Sequence, residues 1–279
     1  MIDIRSLTFR YDGAEEDALR DVTLEIPDGE FLGIIGPAGA GKTTLALSVG
    51  GIIPHEIRGD FYGAVKVDGL DTADNKLTDL SRLVGTVFQD VESQIVSSVV
   101  EDEILYGLEN FGIPRDEIEE RMDFALGQVG IAGLRHRTIS SLSGGQRQKV
   151  AIASLVALRP KILVLDEPTG ELDPSSSRQI FSLLRSLNRE YGMTVVVVEQ
   201  KIMLLCEFAE RLAVMSEGRV VRDGTVREVL GDIAGLEAIG VNCPRSALFS
   251  SLLSEKLGRE VPVAVNADEA VETARRIIG

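Results

Sequence analysis

The 279-residue chain has no tryptophan, two cysteines and two histidines, and aromatic residues make up only 5% of it. Cys206 and Cys243 build neither a disulfide framework nor a metal cluster, and both read as reduced, small hydrophobes. His55, placed in a loop, and His136 stand in no metal-ligand spacing. Basic residues are also scarce: 29 Lys and Arg against 44 Asp and Glu leave a formal net charge of −15. Such a surface repels phosphate backbones and anionic bilayers, which argues against nucleic-acid partners and against broad adsorption to a membrane. Arg135-His136-Arg137 is too short to make a nucleic-acid patch and reads as a solvated basic turn. No apolar run approaches the roughly 20 residues that span a bilayer; the longest, nearly uninterrupted, is Val150 to Leu158. The opening MIDIRSLTFRYDG lacks a basic-then-apolar signal pattern. There is no long linker, internal repeat or low-complexity tract. The 44% hydrophobic and 26% charged content that remains suits a globular, soluble, intracellular protein with a sizeable core.

Ile2 to Arg10 and Val22 to Ile26 alternate as strands do, and Phe31 to Ile35 is a short buried-strand run ending at Gly36. Helical spacing starts at Thr43, and a further pair of strands is expected at Gly63 to Val67 and Val84 to Phe88. The middle of the chain turns helical over Glu101 to Gly112, Asp116 to Val129 and Gly145 to Leu158. Glu117 and Arg121, four apart, mark a solvated helix face. Strand and helix then alternate: Ile162 to Leu165, a helix near Ser175 to Glu190, Thr194 to Val198, and a helix near Lys201 to Ala209, with Met203 and Leu204 in the core. A run such as Val195-Val196-Val197-Val198 predicts an α/β fold with a parallel sheet covered by helices. After Gly231 come a helix from Pro244 to Leu257, an extended stretch from Val261 to Val265, and a helix from Ala267 to Ile278 started by Asn266 and Glu269.

Gly36-Pro37-Ala38-Gly39-Ala40-Gly41-Lys42-Thr43 matches G-x-x-x-x-G-K-[ST] in full, in a strand–loop–helix context. A loop wrapping a polyphosphate must turn successive N–H groups inward, and glycines allow those dihedrals. The following helix offers its N-terminus to the anion. Lys42 supplies a cation for the β- and γ-phosphates, and the Thr43 hydroxyl can ligate Mg²⁺. Downstream, Ile162-Leu163-Val164-Leu165-Asp166-Glu167 is an apolar strand ending in two acids. Asp166 is placed to hold the Mg²⁺ shell and Glu167 to act as general base on water.

Between these motifs stands Leu142-Ser143-Gly144-Gly145-Gln146. With Gln89 in Val87-Phe88-Gln89-Asp90 and Leu172-Asp173-Pro174 after Glu167, the order resembles an ATP-binding-cassette (ABC) ATPase across Ile2 to Leu230. The resemblance implies a P-loop nucleotide-binding domain over 1–231, with a mostly parallel core sheet, an antiparallel β subdomain and a helical subdomain at about 90–160. It leaves 232–279 as a small C-terminal extension that could serve dimerisation. It implies ATP and Mg²⁺ as cofactors. Nucleotide contacts would come from Tyr11 (adenine stacking, or else an ordinary strand tyrosine), Gly36, Pro37, Ala38, Gly39, Ala40, Gly41, Lys42, Thr43, Thr44 and Asp173. Ser143, Gly144, Gly145 and Gln146 would close on the γ-phosphate held by a partner subunit in a head-to-tail dimer. Gln89 would touch Mg²⁺ or the attacking water.

A narrower resemblance rests on Ile53-Pro54-His55, Val67-Asp68-Gly69-Leu70-Asp71-Thr72, Phe88 to Gln94, Val100 to Glu103, Gly107 to Asn110 and Val261-Pro262-Val263. These are similar to the ATPase subunits of energy-coupling-factor (ECF) importers of vitamins or metal ions. The partners implied are a second ATPase, a transmembrane coupling protein and a substrate-binding membrane protein, with this subunit on the inner face of the cell membrane.

Two departures stand out. Where such ATPases place a histidine at the γ-phosphate, this chain has Gln200 in Val198-Glu199-Gln200-Lys201. An amide can donate but cannot carry a proton near pH 7. Either the site is weakened and works beside a histidine-bearing ATPase, or Gln200 substitutes adequately, or Lys201 contributes the charge. Glu171 also stands where a small residue is commoner. A regulatory subunit with little turnover and a soluble, non-transport cassette ATPase are the alternatives.

Overall fold

The computed structural model describes residues 1–278. Among the described residues ten strands form two sheets: β1 (Ile2–Tyr11), β2 (Leu19–Ile26), β3 (Phe31–Ile35), β4 (Gly59–Val67), β5 (Leu70–Asp71), β6 (Val84–Val87), β7 (Ile162–Asp166), β8 (Thr194–Val198), β9 (Arg211–Ser216) and β10 (Arg219–Thr225). The first sheet is antiparallel, in order β2-β1-β4-β5. The second runs β10-β9-β3-β8-β7-β6 and is parallel except for the β9–β10 hairpin. The strands expected near 63–67 and 84–88 both exist but lie in different sheets, so they do not pair.

All five residues of β3, β7 and β8 are buried, as expected of strands covered on both faces. Alternate side chains serve two separate cores. Leu163, Leu165, Val195 and Val197 face one that includes the helical segment and parts of the C-terminal tail. Ile162, Val164, Val196 and Val198 face the other, shared with the antiparallel sheet and the helix Lys42–Val49. β9 and β10 had no strand expectation. They meet at Glu217-Gly218, both with positive φ, which suits a tight hairpin whose second strand is exposed on alternate positions.

The helical segment comprises Val91–Gln94, Val100–Asn110, Arg115–Gln128 and Gly144–Ala157. Glu117 and Arg121 form the i,i+4 pair at 2.8 Å. Arg135 is no solvated turn: its guanidinium is half-buried and pairs with Glu101 and Glu119, each at 2.6 Å, and with Asp123 at 3.1 Å. The hydrogen bonds to Glu119 and Glu101 raise its pKa further. His136 joins the group through Glu101 at 2.8 Å. His55 ends the short helix Ile52–His55, and its Nε2 lies 2.8 Å from the Thr72 carbonyl oxygen.

In the tail, helices Arg245–Leu257 and Ala267–Ile278 pack on each other. Leu236, Val241 and Ala247 join the first core. Asn266 accepts from the Glu269 N–H at 2.9 Å, as its spacing predicts. Residues 261–265 form no strand, because side chains take the place of a neighbouring strand: Ser254 accepts from the Val261 N–H, Ser250 from Ala264 and Glu269 from Val265, at 3.0–3.1 Å. Met203 is 68% exposed, contrary to its core assignment, while Leu204 packs against the first core. Cys206 is buried, which pushes its thiol up to about 12, and Cys243 is half-buried; both are free. Among the described residues no helix is long and apolar enough to cross a membrane.

Candidate functional site

The carboxyl ends of β3, β6, β7 and β8 open on one edge of the parallel sheet, where ligands of such sheets bind. Gly36 leaves β3 at φ 155°, and a Cβ there would collide with the Met215 carbonyl. Gly41, at φ 94°, caps the helix Lys42–Val49; a Cβ would come within 2.5 Å of the Ala18 carbonyl oxygen. Neither position admits a side chain, so Pro37, Ala38, Gly39 and Ala40 are carried in a tight loop between them. Lys42 is buried and donates to the Gly36 and Pro37 carbonyls, both at 2.9 Å. Burial lowers its pKa, opposed by Glu167 and Asp166.

Asp166 ends β7 buried, and burial raises its pKa, against the Thr43 hydroxyl and Lys42, which favour the ion. Its Oδ1 has no hydrogen-bond partner among the described residues. A buried, orphaned carboxylate oxygen beside a threonine hydroxyl is what a hard, oxygen-seeking cation such as Mg²⁺ would satisfy, so the residues fit that ion. Glu167 follows at φ 46°, its N–H bonded to the Val198 carbonyl at 2.8 Å. Two amides hold its carboxylate: Gln89 Nε2 donates to Oε2 at 3.1 Å and Gln200 Nε2 to Oε1 at 2.6 Å. Gln94 in turn fixes the strand end that leads to Gln89, accepting from the Phe88 N–H and donating to the Thr86 carbonyl. The Tyr11 hydroxyl meets the Thr44 hydroxyl at 2.9 Å, so the ring stands against the phosphate-loop helix.

Ser143, Gly144, Gly145 and Gln146 are not gathered into this cluster. They open the helix Gly144–Ala157, with Ser143 and Gln146 in a reciprocal capping box. A Cβ at Gly144 would meet Leu172 at 3.5 Å and one at Gly145 would meet Ser176 at 3.1 Å, so this motif abuts the Leu172–Ser176 turn. Asp173 caps the helix Pro174–Tyr191, accepting from the Ser175 and Ser176 N–H groups and the Ser176 hydroxyl. Those bonds hold its carboxyl below the usual range. Lys201 Nζ donates to the Thr169 and Gly170 carbonyls at 3.3 and 3.0 Å, which places its ammonium against the loop that follows Glu167. Sequence reasoning missed Glu199, 1% exposed, which accepts from Thr169 N–H at 3.0 Å and Thr169 Oγ1 at 2.5 Å. Its only signal was a charged residue closing a run of four valines.

A glycine-built phosphate cradle, a lysine, and paired acids at the same sheet edge, with a second capped helix N-terminus on a helical subdomain, define an ATP hydrolase of the P-loop cassette class. The sequence model of the family described as "ABC transporter" matches residues 19–170. Over 275 residues, 99% of this chain and 96% of the relative, the sequence is 41% identical to a protein named as an ABC transporter ATP-binding protein in Pyrococcus horikoshii. The chain belongs to the ABC transporter family, among its ATP-binding, ATP-hydrolysing subunits. Its fold is similar to cbiO1 of Clostridium perfringens, part of the ABC transporter complex cbiONQ, with TM-score 0.75 and 32% identity over 88% of this chain and 96% of that one. It is also similar to the ATP-binding cassette MJ0796, solved as a post-hydrolysis dimer bound to ADP and Pi, with TM-score 0.71 and 31% identity over 81% and 99% of the two chains.

Proposed function

We propose that this chain is one of a pair of ATPases that drive an ECF-type importer of a vitamin or metal ion. It would work with a transmembrane coupling protein and a substrate-binding membrane protein, on the cytoplasmic face of the membrane. The observation that carries the reading is the likeness to cbiO1, a component of a transporter complex, over 88% of this chain. The exposed Ser143–Gly144 end supports head-to-tail pairing: among the described residues no hydrogen bond ties it to its own phosphate loop. In this reading residues 1–231 carry the ATPase and 232–279 an extension suited to dimer contacts.

Lys42 and the loop Gly36–Gly41 bind the phosphates, with Thr44 steadying Tyr11 toward the base. Thr43, Asp166 and Gln89 would hold Mg²⁺, which when bound neutralises phosphate charge. Glu167 takes a proton from the attacking water, oriented by Gln89 and Gln200. Ser143, Gly144, Gly145 and Gln146 complete the partner's site, and Asp173 positions their helix through the adjoining turn.

Gln200 favours one variant of this reading, a slow site beside a histidine-bearing partner. Its amide holds Glu167 yet brings no positive charge, and a lost preorganised contact costs about 10²–10³ in turnover. The test is affinity capture of the tagged chain from detergent-solubilised native membranes. Recovery of a membrane coupling protein with a second, histidine-bearing ATPase is the expected result. Recovery of the chain alone from the soluble fraction overturns the transport reading.

A further inference from the structure

The three residues after β8 grip the chain after β7 in successive layers. Gln200 holds the Glu167 carboxylate at 2.6 Å. Below it, Glu199 takes both the N–H and the hydroxyl of Thr169, itself fully buried. On the solvent side, Lys201 donates to the Thr169 and Gly170 carbonyls. Gly170 also bonds back to the Glu167 carbonyl at 3.1 Å, and a side chain grown on it would come within 3.8 Å of Glu167 Oε2. Leu172, bonded through its N–H to the Thr169 carbonyl at 3.2 Å, then reaches the start of the Gly144–Ala157 helix.

An acidic side chain does not stay in an apolar interior without a reason in its partners, because a buried polar group is stable there only when hydrogen bonds satisfy it. Here the partners lie on the one loop that joins the base to the helical subdomain's motif. One carboxyl oxygen of Glu199 accepts both bonds at once, so a single side chain fixes the N–H and the hydroxyl of Thr169 together. The arrangement converts two flexible loops into a single block.

We propose that Glu199 is a positioning residue for ATP hydrolysis: through Thr169, and with Lys201 closing the loop from outside, it fixes the Thr169–Asp173 segment against Glu167. It touches neither nucleotide nor water. Its effect is on the placement of the base and of the turn that supports Ser143 to Gln146. The inference rests on the assignment of Glu167 as the base.

The test uses Thr169→Val, which keeps the volume and removes the hydroxyl, Thr169→Ser, which restores it, and Lys201→Met, which cuts the outer strap without touching the core. Steady-state kinetics with MgATP should show kcat falling about tenfold in Thr169→Val, given the sensitivity of catalysis to small misplacements. The KM for ATP should stay within about twofold, and Thr169→Ser should recover most of the rate. Backbone amides of Gly170 to Asp173 should exchange with deuterium faster in Thr169→Val and in Lys201→Met than in the parent chain. Equal rates for the Val and Ser variants, or unchanged exchange at those amides, overturn the proposal. A parallel rise in KM overturns it too, since that reports a damaged nucleotide site. Glu167→Gln, assayed alongside, separates the two ideas: if that variant still turns over, the base assignment fails, while the exchange data still decide the tether. If Thr169→Val does not fold, Glu199→Gln is read in its place by the same kinetics and exchange, and parent-like values in both overturn the proposal.

Discussion

Glu199 is an acid held out of water, and burial raises its pKa above the ordinary 4.5 despite the Thr169 bonds that favour its ion. The folded state therefore binds the proton more tightly than the unfolded chain. Its contribution to stability is complete below about 4.5 and is lost as pH rises through the folded value. Asp166, raised by burial from 3.8, acts in the same direction. In the absence of nucleotide and Mg²⁺, Glu199→Gln should flatten the decline of the melting temperature as pH rises above about 4.5, read by differential scanning fluorimetry. A slope equal to the parent's would show that Glu199 stays ionised throughout. At Glu167 the expectation is catalytic. Replacing it by Gln removes a general base, a contribution of about 10²–10⁴-fold. ATP should still bind, and size-exclusion chromatography should show an accumulated dimer.

The phosphate loop and the strand-borne acids were legible in the sequence because each is contiguous: eight residues make the cradle, and Asp166 and Glu167 are neighbours. The grip of Glu199 on Thr169 was not, since 30 residues separate them and the register of β7 on β8, with Asp166 opposite Val198, brings them together. Arg135 was misread for the same reason: its carboxylate partners lie 12 to 34 residues away, on two helices. The stretch after Val261 shows a different limit, because extended composition does not say whether its N–H groups will find a strand or the hydroxyls of Ser250 and Ser254. Where an element announces its own end, sequence suffices, as Asn266 and Glu269 do for the last helix. The Ser143–Gln146 capping box emerges only in the structure, and Ser143→Ala should cost about 1 kcal/mol. That is a fall of roughly 2–4 °C in melting temperature for a chain of this size. A loss beyond about 6 °C would mean that Ser143 supports more than its helix.

At the scale of the whole molecule, the alternating strands β3, β7 and β8 serve both cores at once. Phe31 and Ile35 point into the core shared with the helical segment, and Leu32 and Ile34 into the core shared with the antiparallel sheet. The helical segment and the antiparallel sheet are therefore two sides of one wall, not modules on a linker. Neither side can melt and leave the other a finished surface, because the strands it would abandon still expose every second side chain. Scanning calorimetry should accordingly find one cooperative transition, and two resolved peaks would contradict the shared wall. In the language of design, this wall leaves no seam at which the protein can be cut. A fragment ending before β7, or one starting after β6, would carry half-sheets with open hydrogen-bonding edges, the usual template for aggregation. Recombination with another cassette would succeed at the surface turns and fail through the middle.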